Sequence, residues 1–187
     1  MKQFILALGL AAACATGAAA SSITLDYDLA PTSFTSFDED GFRTSNTPGD
    51  VANSFFRSGD AYVQSLAGAV ATIERIDGAA FSAKSIDLVY FSPYTSGVTA
   101  TIMGILSDGS MVSQTFANIT TLSTYDFSSS FGNITALQFT QNDYSGNLGS
   151  FGFDNVVVGP AEVPLPAAGG LLLAALGGVA VLRRRKV

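Results

Sequence analysis

The fold is decided by residues 98–117, which read VTATIMGIL (98–106), SDGS (107–110) and MVSQTFA (111–117). The two outer runs carry the alternating pattern and the β-branched residues that are typical of strands. The Asp-Gly pair at 108–109 supports the positive φ angles of a tight turn. The segment therefore predicts a β-hairpin with these two runs as its strands.

The same pattern continues on both sides of this hairpin, in short runs spaced by roughly 8 to 14 residues. In the first run, Ile23, Leu25 and Tyr27 share one face. The further candidate strands are residues 62–66, 69–76, 85–92, 121–127, 134–140 and 151–158. This spacing predicts a single all-β sandwich over residues 21–160, with no helix longer than a turn or two.

Residues 32–60 interrupt the pattern because they are polar and rich in Gly, Ser and Asn. We expect a long excursion across one edge or end of the sandwich. The aromatic residues available to anchor it are Phe34, Phe37, Phe42, Phe55 and Phe56. Long loops on rigid β scaffolds often carry binding sites, but a flexible connection with ordinary anchoring aromatics is an equal interpretation.

The N-terminal residues 1–20 have a positively charged start, an apolar run and a final stretch of small residues. This layout predicts a secretory signal peptide, with Ala18 and Ala20 defining cleavage after Ala20. Its partners are then the secretion translocon and signal peptidase. An uncleaved anchor and a lipoprotein signal using Cys14 are the alternatives.

The C-terminal residues 167–182 read AAGGLLLAALGGVAVL and carry no charge. As a helix they rise about 24 Å, slightly less than a hydrocarbon core of about 30 Å, which predicts a single transmembrane span. The basic cluster Arg183-Arg184-Arg185-Lys186 follows at once. Such a cluster stays on the cytoplasmic side, so the rest of the chain lies outside. A hydrophobic helix of the domain core is the alternative.

The span is preceded by Val163-Pro164-Leu165-Pro166-Ala167, whose two prolines favour an extended backbone that suits a protease. The tail of residues 161–187 resembles the VPLPA-CTERM sorting signal, a relative of the bacterial PEP-CTERM signal. The resemblance implies recognition by an exosortase-like transpeptidase and removal of the apolar tail. The domain is then delivered to the cell surface or the exopolysaccharide matrix. A permanent single-span anchor with a Pro-rich stalk is the alternative.

The C-terminal half also carries degenerate motifs, among them SIDLVY (85–90), ITALQF (134–139) and FGFDNVVV (151–158). They resemble the passenger domains of PEP-CTERM-type proteins and the galactose-binding-like jelly rolls. The resemblance implies a jelly-roll-like sandwich and carbohydrate binding, at residues that the sequence does not assign. The chain has no Trp for a sugar-stacking surface, so the candidates are Tyr62, Tyr90, Tyr94, Tyr125 and Tyr144.

Residues 21–162 hold all fifteen acidic residues and four basic ones, a net charge of −11. A domain this acidic does not bind nucleic acid through its phosphates. The chain has no His, and its one Cys lies in the predicted signal peptide. These absences exclude catalysis that needs His or Cys, zinc sites built from them and disulfides in the central domain.

Carboxylates are the side-chain groups that remain as candidates for catalysis or metal binding. Asp26 and Asp28 are two residues apart in the first predicted strand, so we expect both on one face at about 7 Å, the range of a glycosidase pair. Calcium is the candidate cofactor, because it binds carboxylate and carbonyl oxygens. Acids at residues 38–40 lie beside a turn. The jelly rolls that the chain resembles often hold calcium between their terminal segments, which implies Asp26 or Asp28 with Asp154.

These observations favour a secreted, surface-sorted and non-catalytic module that is adhesive or associated with polysaccharide. Two other functions stay open. One is a small secreted glycan hydrolase that uses paired carboxylates. The other is a purely structural surface protein whose negative charge repels its neighbours and retains cations.

Overall fold

The computed structural model describes residues 21–47, 55–57, 63–65, 70–91, 98–140 and 150–162. The predicted signal peptide, the sorting motif 163–167, the apolar span 167–182 and the basic cluster lie outside these residues. No helix in the described ranges has both the length and the apolar character needed to cross a bilayer.

The described ranges contain thirteen strands and one turn of 3-10 helix, Ser129–Phe131. The strands are β1 (Ile23–Leu25), β2 (Ser33–Phe34), β3 (Ser36–Glu39), β4 (Phe42–Thr47), β5 (Phe55–Arg57), β6 (Val63–Ser65), β7 (Val70–Arg75), β8 (Phe81–Phe91), β9 (Val98–Leu106), β10 (Met111–Ile119), β11 (Ser123–Asp126), β12 (Ile134–Thr140) and β13 (Ser150–Pro160).

The strands form two layers. Sheet A has the order β2-β5-β6-β13-β8-β11, with β1 also paired to β13, and sheet B has the order β3-β4-β7-β12-β9-β10. All of these pairs are antiparallel, and the layers are joined where Phe81 of β8 pairs with Ile134 of β12. The prediction of a single all-β sandwich is confirmed.

The core lies between the two sheets and is rich in Phe. The ring centroids of Phe139 in sheet B and Phe153 in sheet A are 4.7 Å apart. Those of Phe42 and Phe81, which meet edge to face, are 5.1 Å apart. Strand β9 shows how the sequence produces this arrangement. Its residues alternate between buried and exposed positions from Val98 to Ile102, as a half-buried strand requires.

The predicted hairpin of residues 98–117 is confirmed as β9 and β10. The amide of Gly109 donates to the carbonyl of Leu106 at 3.0 Å, and Gly109 has a φ of 81°. The Asp108 carboxylate accepts the Ser110 amide at 2.9 Å, which fixes the turn. Asp108 itself has no positive φ, so only the glycine uses the left-handed region.

The expectation of a long excursion over residues 32–60 is wrong for the described part of that region. It contributes β2 and β5 to sheet A and the β3–β4 hairpin to sheet B. The turn residues Asp40 and Gly41 both have positive φ, 46° and 81°, as a two-residue hairpin turn of type I′ needs. The sequence did contain this Asp-Gly signal, but its flanking strands are polar, and β3 is the edge strand of sheet B. Phe34 and Phe42 are buried, as expected of anchoring aromatics.

The described chain begins and ends at the same end of the sandwich. Ile23 at the start of β1 pairs with Val158 near the end of β13. The backbone of Glu162 is also held there, because its amide donates to the carbonyl of Gly132 at 2.6 Å. We call this end the terminal pole. The described residues next to the predicted export segments, Ser21 and Glu162, therefore both lie at this pole.

Gly104 in β9 tests how tightly the core is packed. A Cβ at this position would lie 2.8 Å from Ile134 Cγ2 and 3.0 Å from Phe131 Cδ1. We expect Gly104→Ala to lower the free energy of unfolding by about 1–3 kcal/mol. The exposed neighbour Thr101→Ala, measured alongside by urea denaturation, should stay within about 0.5 kcal/mol of the parent. Equal stabilities for the two variants would contradict this packing.

Candidate functional site

Tyr27 connects the two sheets immediately after β1. Its side chain is buried, and its hydroxyl shares a hydrogen bond of 2.9 Å with Thr44 Oγ1 in β4 of sheet B. Its ring meets Phe153 of sheet A edge to face at 5.4 Å. Burial raises the pKa of the phenol far above its usual value, so the hydroxyl stays protonated. Tyr27 has a φ of 56°, which ends the extended strand at this point.

Five carboxylates surround this connection, and we call them the acidic junction: Asp26, Asp28, Glu39, Asp87 and Asp154. Asp26 Oδ1 accepts the amide of Asp28 at 3.1 Å, which makes a local turn. The expectation that Asp26 and Asp28 share one face of a strand is wrong. Strand β1 ends at Leu25, and the left-handed Tyr27 breaks the alternation between the two acids.

Asp154 is the buried member of the junction, with 6% of the residue exposed. Its Oδ1 is buried and has no hydrogen-bond partner. Burial first, and then the negative charges of Asp87, Asp28 and Asp26, raise its pKa to about 6. The structure therefore brings the three predicted calcium ligands, Asp26, Asp28 and Asp154, into mutual electrostatic range.

Asp87 lies directly opposite Asp154, on the neighbouring strand β8. Its carboxylate accepts a hydrogen bond from Thr124 Oγ1 at 2.5 Å and one from Asn155 Nδ2 at 2.9 Å. A bulge after Asp154, where Asn155 adopts a φ of 45°, directs this amide toward Asp87. Sequence reasoning missed Asp87 because only the strand register places it beside Asp154.

Glu39 joins the junction from the end of β3. Its Oε2 accepts the amide of Tyr27 at 3.3 Å, and its carboxyl group lies near that of Asp26. Burial chiefly, with Asp26 and Asp40 adding like charge, raises its pKa to about 7. Asp38 takes no part, because it forms a two-pronged ion pair with Arg43 at 2.8 Å.

The arrangement of these acids bears on the expected calcium site. Within the described ranges, no group of three or more Asp, Glu, His or Cys side chains is arranged to hold a metal ion. Calcium binding by Asp26, Asp28 and Asp154 stays a prediction.

Of the five tyrosines that could stack on sugars, the structure describes Tyr90 and Tyr125, and both pack against other side chains. Tyr125 lies half-buried with its ring 5.2 Å from that of Phe116, and Tyr90 packs against the core. Tyr62, Tyr94 and Tyr144 fall outside the described residues. A carbohydrate-stacking surface of tyrosines therefore stays a prediction.

The outer face of sheet B has a different chemistry. Strand register aligns one residue from each of its six strands in a line that we call the central row: Ser36, Ser45, Thr72, Gln138, Met103 and Ser113. No member of this row is charged. Gln138 Nε2 donates to Thr72 Oγ1 at 3.3 Å in the middle of the row.

The row beside it divides into a charged half and an apolar half. Asp38, Arg43 and Glu74 lie on the β3, β4 and β7 side. Ala136, Ile105 and Met111 continue the row on the β12, β9 and β10 side. Met111 is 66% exposed, so apolar surface reaches solvent next to the central row.

Comparison with known proteins finds distant structural likeness alone. No protein-family model and no curated protein matches the chain. A family 11 carbohydrate-binding module from Clostridium thermocellum, solved in complex with a β-1,3-1,4-mixed-linked tetrasaccharide, matches 79% of this chain and 100% of its own, with 15% identity and a TM-score of 0.41. The family 11 module of the cellulosomal cellulase Lic26A-Cel5E from the same organism matches 80% of this chain and 99% of its own, with 11% identity and a TM-score of 0.36. Both TM-scores lie below 0.5, so neither likeness bears on the ligand or site of this chain.

The raised pKa values predict an unusual pH dependence of stability. The folded state holds protons on Glu39 and Asp154 that the unfolded chain has released, so stability falls as pH rises from about 4.5 to about 7. Carboxyls with lowered pKa, such as Asp38, lose their contribution only at more acidic pH. We expect the Tm of the full chain, measured in EDTA, to be higher at pH 5 than at pH 8. The double variant Glu39→Gln/Asp154→Asn should flatten this dependence, and a parent Tm that rises from pH 5 to pH 8 would refute it.

Proposed function

We propose that the chain is an exported, non-catalytic β-sandwich module that is displayed at the cell surface or in the extracellular matrix, where it associates with polysaccharide. The observation that supports display is the pairing of Ile23 with Val158, which puts the two ends of the described residues on the terminal pole. The predicted signal peptide and sorting tail then attach on one side. The sheet faces and the opposite end of the sandwich are left for a partner.

The acidic junction supports a non-catalytic role. A glycosidase needs two carboxyl groups flanking the scissile bond, about 5–5.5 Å apart in retaining enzymes and about 6.5–9.5 Å apart in inverting ones. Asp26 and Asp28, the pair expected from the sequence, do not share a strand face, and Asp87 is occupied by Thr124 and Asn155. These acids serve the connection between the sheets, which argues against the alternative of a carboxylate-dependent hydrolase.

Calcium is a second part of the proposal. The like charges of Asp26, Asp28 and Asp154 repel one another, and the buried Asp154 Oδ1 lacks a partner. A divalent cation bound by these three residues would neutralise the repulsion and fill the missing contact. Extracellular modules bind calcium at about 10⁻⁴ to 10⁻³ M, so a weak site suffices outside the cell.

Processing of the tail is tested by intact-mass measurement of the protein recovered from membrane, surface and medium fractions of the native host. We expect the mature protein to begin at Ser21 and to end within residues 163–167, with the matrix or surface as its location. A mature pool that still carries Arg183 to Val187 would identify a membrane-anchored domain and refute sorting. Recovery in the cytoplasm with residues 1–20 attached would refute export.

Calcium binding is tested by thermal melting of the full chain at pH 8, with calcium titrated to 10 mM. A ligand that binds only the folded state at 100 times its Kd stabilises by about 2.7 kcal/mol. We expect Asp154→Asn to abolish the rise in Tm, whereas Asp126→Asn, a change at an exposed acid outside the junction, should keep it. No rise in the parent, or an equal rise in both variants, would remove the proposed calcium site.

A further inference from the structure

We propose that the outer face of sheet B binds a neutral polysaccharide along the central row. This inference rests on the proposed function and assigns its site and ligand class. The row crosses all six strands from Ser36 to Ser113. Antiparallel strands lie about 4.8 Å apart, so the row is about 24 Å long, enough for several sugar units.

The chemistry of the row matches both surfaces of a sugar ring. Sugars present hydroxyl groups around the ring edge and C–H groups on the ring faces. The hydroxyls of Ser45 and Thr72 and the amide of Gln138 can donate and accept hydrogen bonds with the ring edge. Met103, with Ile105 and the exposed Met111 beside it, supplies apolar contact for the ring faces.

The polar side chains are already partly ordered. Gln138 Nε2 bonds to Thr72 Oγ1, and Thr101 Oγ1 shares a hydrogen bond of 3.1 Å with Thr115 Oγ1 on the next two strands. A ligand therefore meets side chains held by their neighbours on a rigid sheet, which reduces the entropy lost on binding.

The distribution of charge selects a neutral ligand. Residues 21–162 carry a net charge of −11, yet the central row holds no ionic group. Among the described residues of this face, Asp38, Arg43 and Glu74 lie in the adjoining row, at one corner of the sheet. The negative field of the domain repels a polyanion such as a uronic-acid polymer at low salt. A neutral polymer meets no such barrier.

The test is affinity electrophoresis of the full chain in native gels with mild detergent. The gels contain hydroxyethylcellulose or galactomannan as neutral probes, or alginate as the anionic probe. We expect retardation by at least one neutral polymer and none by alginate. The variant Thr72→Ala/Gln138→Ala removes the central hydrogen-bonding pair and should weaken that retardation about tenfold in apparent Kd.

Two further variants test the effect of charge in the row and provide a control on the other sheet. Gln138→Glu retains the shape of the side chain but puts a negative charge in the row, and it should also weaken binding. Thr24→Ala removes an exposed hydroxyl from β1 in sheet A and should leave binding unchanged. A variant is compared with the parent only if its Tm lies within a few degrees of the parental Tm. If the double variant melts outside this range, Gln138→Glu alone decides the outcome.

The outcomes separate this inference from the proposed function. Parental binding that is unchanged in the sheet B variants refutes the site, while association with polysaccharide stands. Stronger retardation by alginate than by the neutral polymers refutes the neutral class. No retardation by any of the three polymers counts against the proposed association itself.

Discussion

The structure depends on the buried crossing of Tyr27 between the two sheets. A sandwich needs its layers fixed at a set separation and angle. Tyr27 does this with its ring against Phe153 of sheet A and its hydroxyl bonded to Thr44 of sheet B. The chain reaches this position only because Tyr27 adopts a left-handed backbone, which an L-residue holds when surrounding contacts enforce it.

The acidic junction follows from this crossing. The turn that carries Tyr27 inward places Asp26 and Asp28 beside the last strand, and Glu39 accepts the Tyr27 amide. Several like charges then share one small region, and one carboxylate oxygen is buried without a partner. Such an arrangement is costly unless protons or a cation neutralise it. The repulsion between like charges and the left-handed backbone of Tyr27 therefore occur at the same place, where β1 is paired with β13.

The two sides of the molecule have separate chemical characters. Ionisable groups gather at the connection between the sheets, where they act on stability. The central row on the outer face of sheet B carries hydroxyl, amide and thioether side chains in register, and the described ionic groups of the adjoining row lie at one corner. The two ends of the described residues lie on the terminal pole, away from the middle of this face. A stable scaffold with an uncharged row suits the proposed surface module, whose polysaccharide partner consists of repeated sugar units.

The sequence by itself determined the all-β class and the β9–β10 hairpin, because alternation and Asp-Gly turns act over a few residues. It also predicted that Asp26, Asp28 and Asp154 approach one another, through resemblance to jelly rolls. The tertiary structure alone decided that Asp87 faces Asp154, that Glu39 lies near Asp26 and that the hairpin of residues 36–47 joins sheet B through β7. Strand register between distant segments sets these contacts, and a shift of one residue would turn every side chain to the other face. Local pattern carries no information about that register, so the junction and the central row exist only in the folded chain.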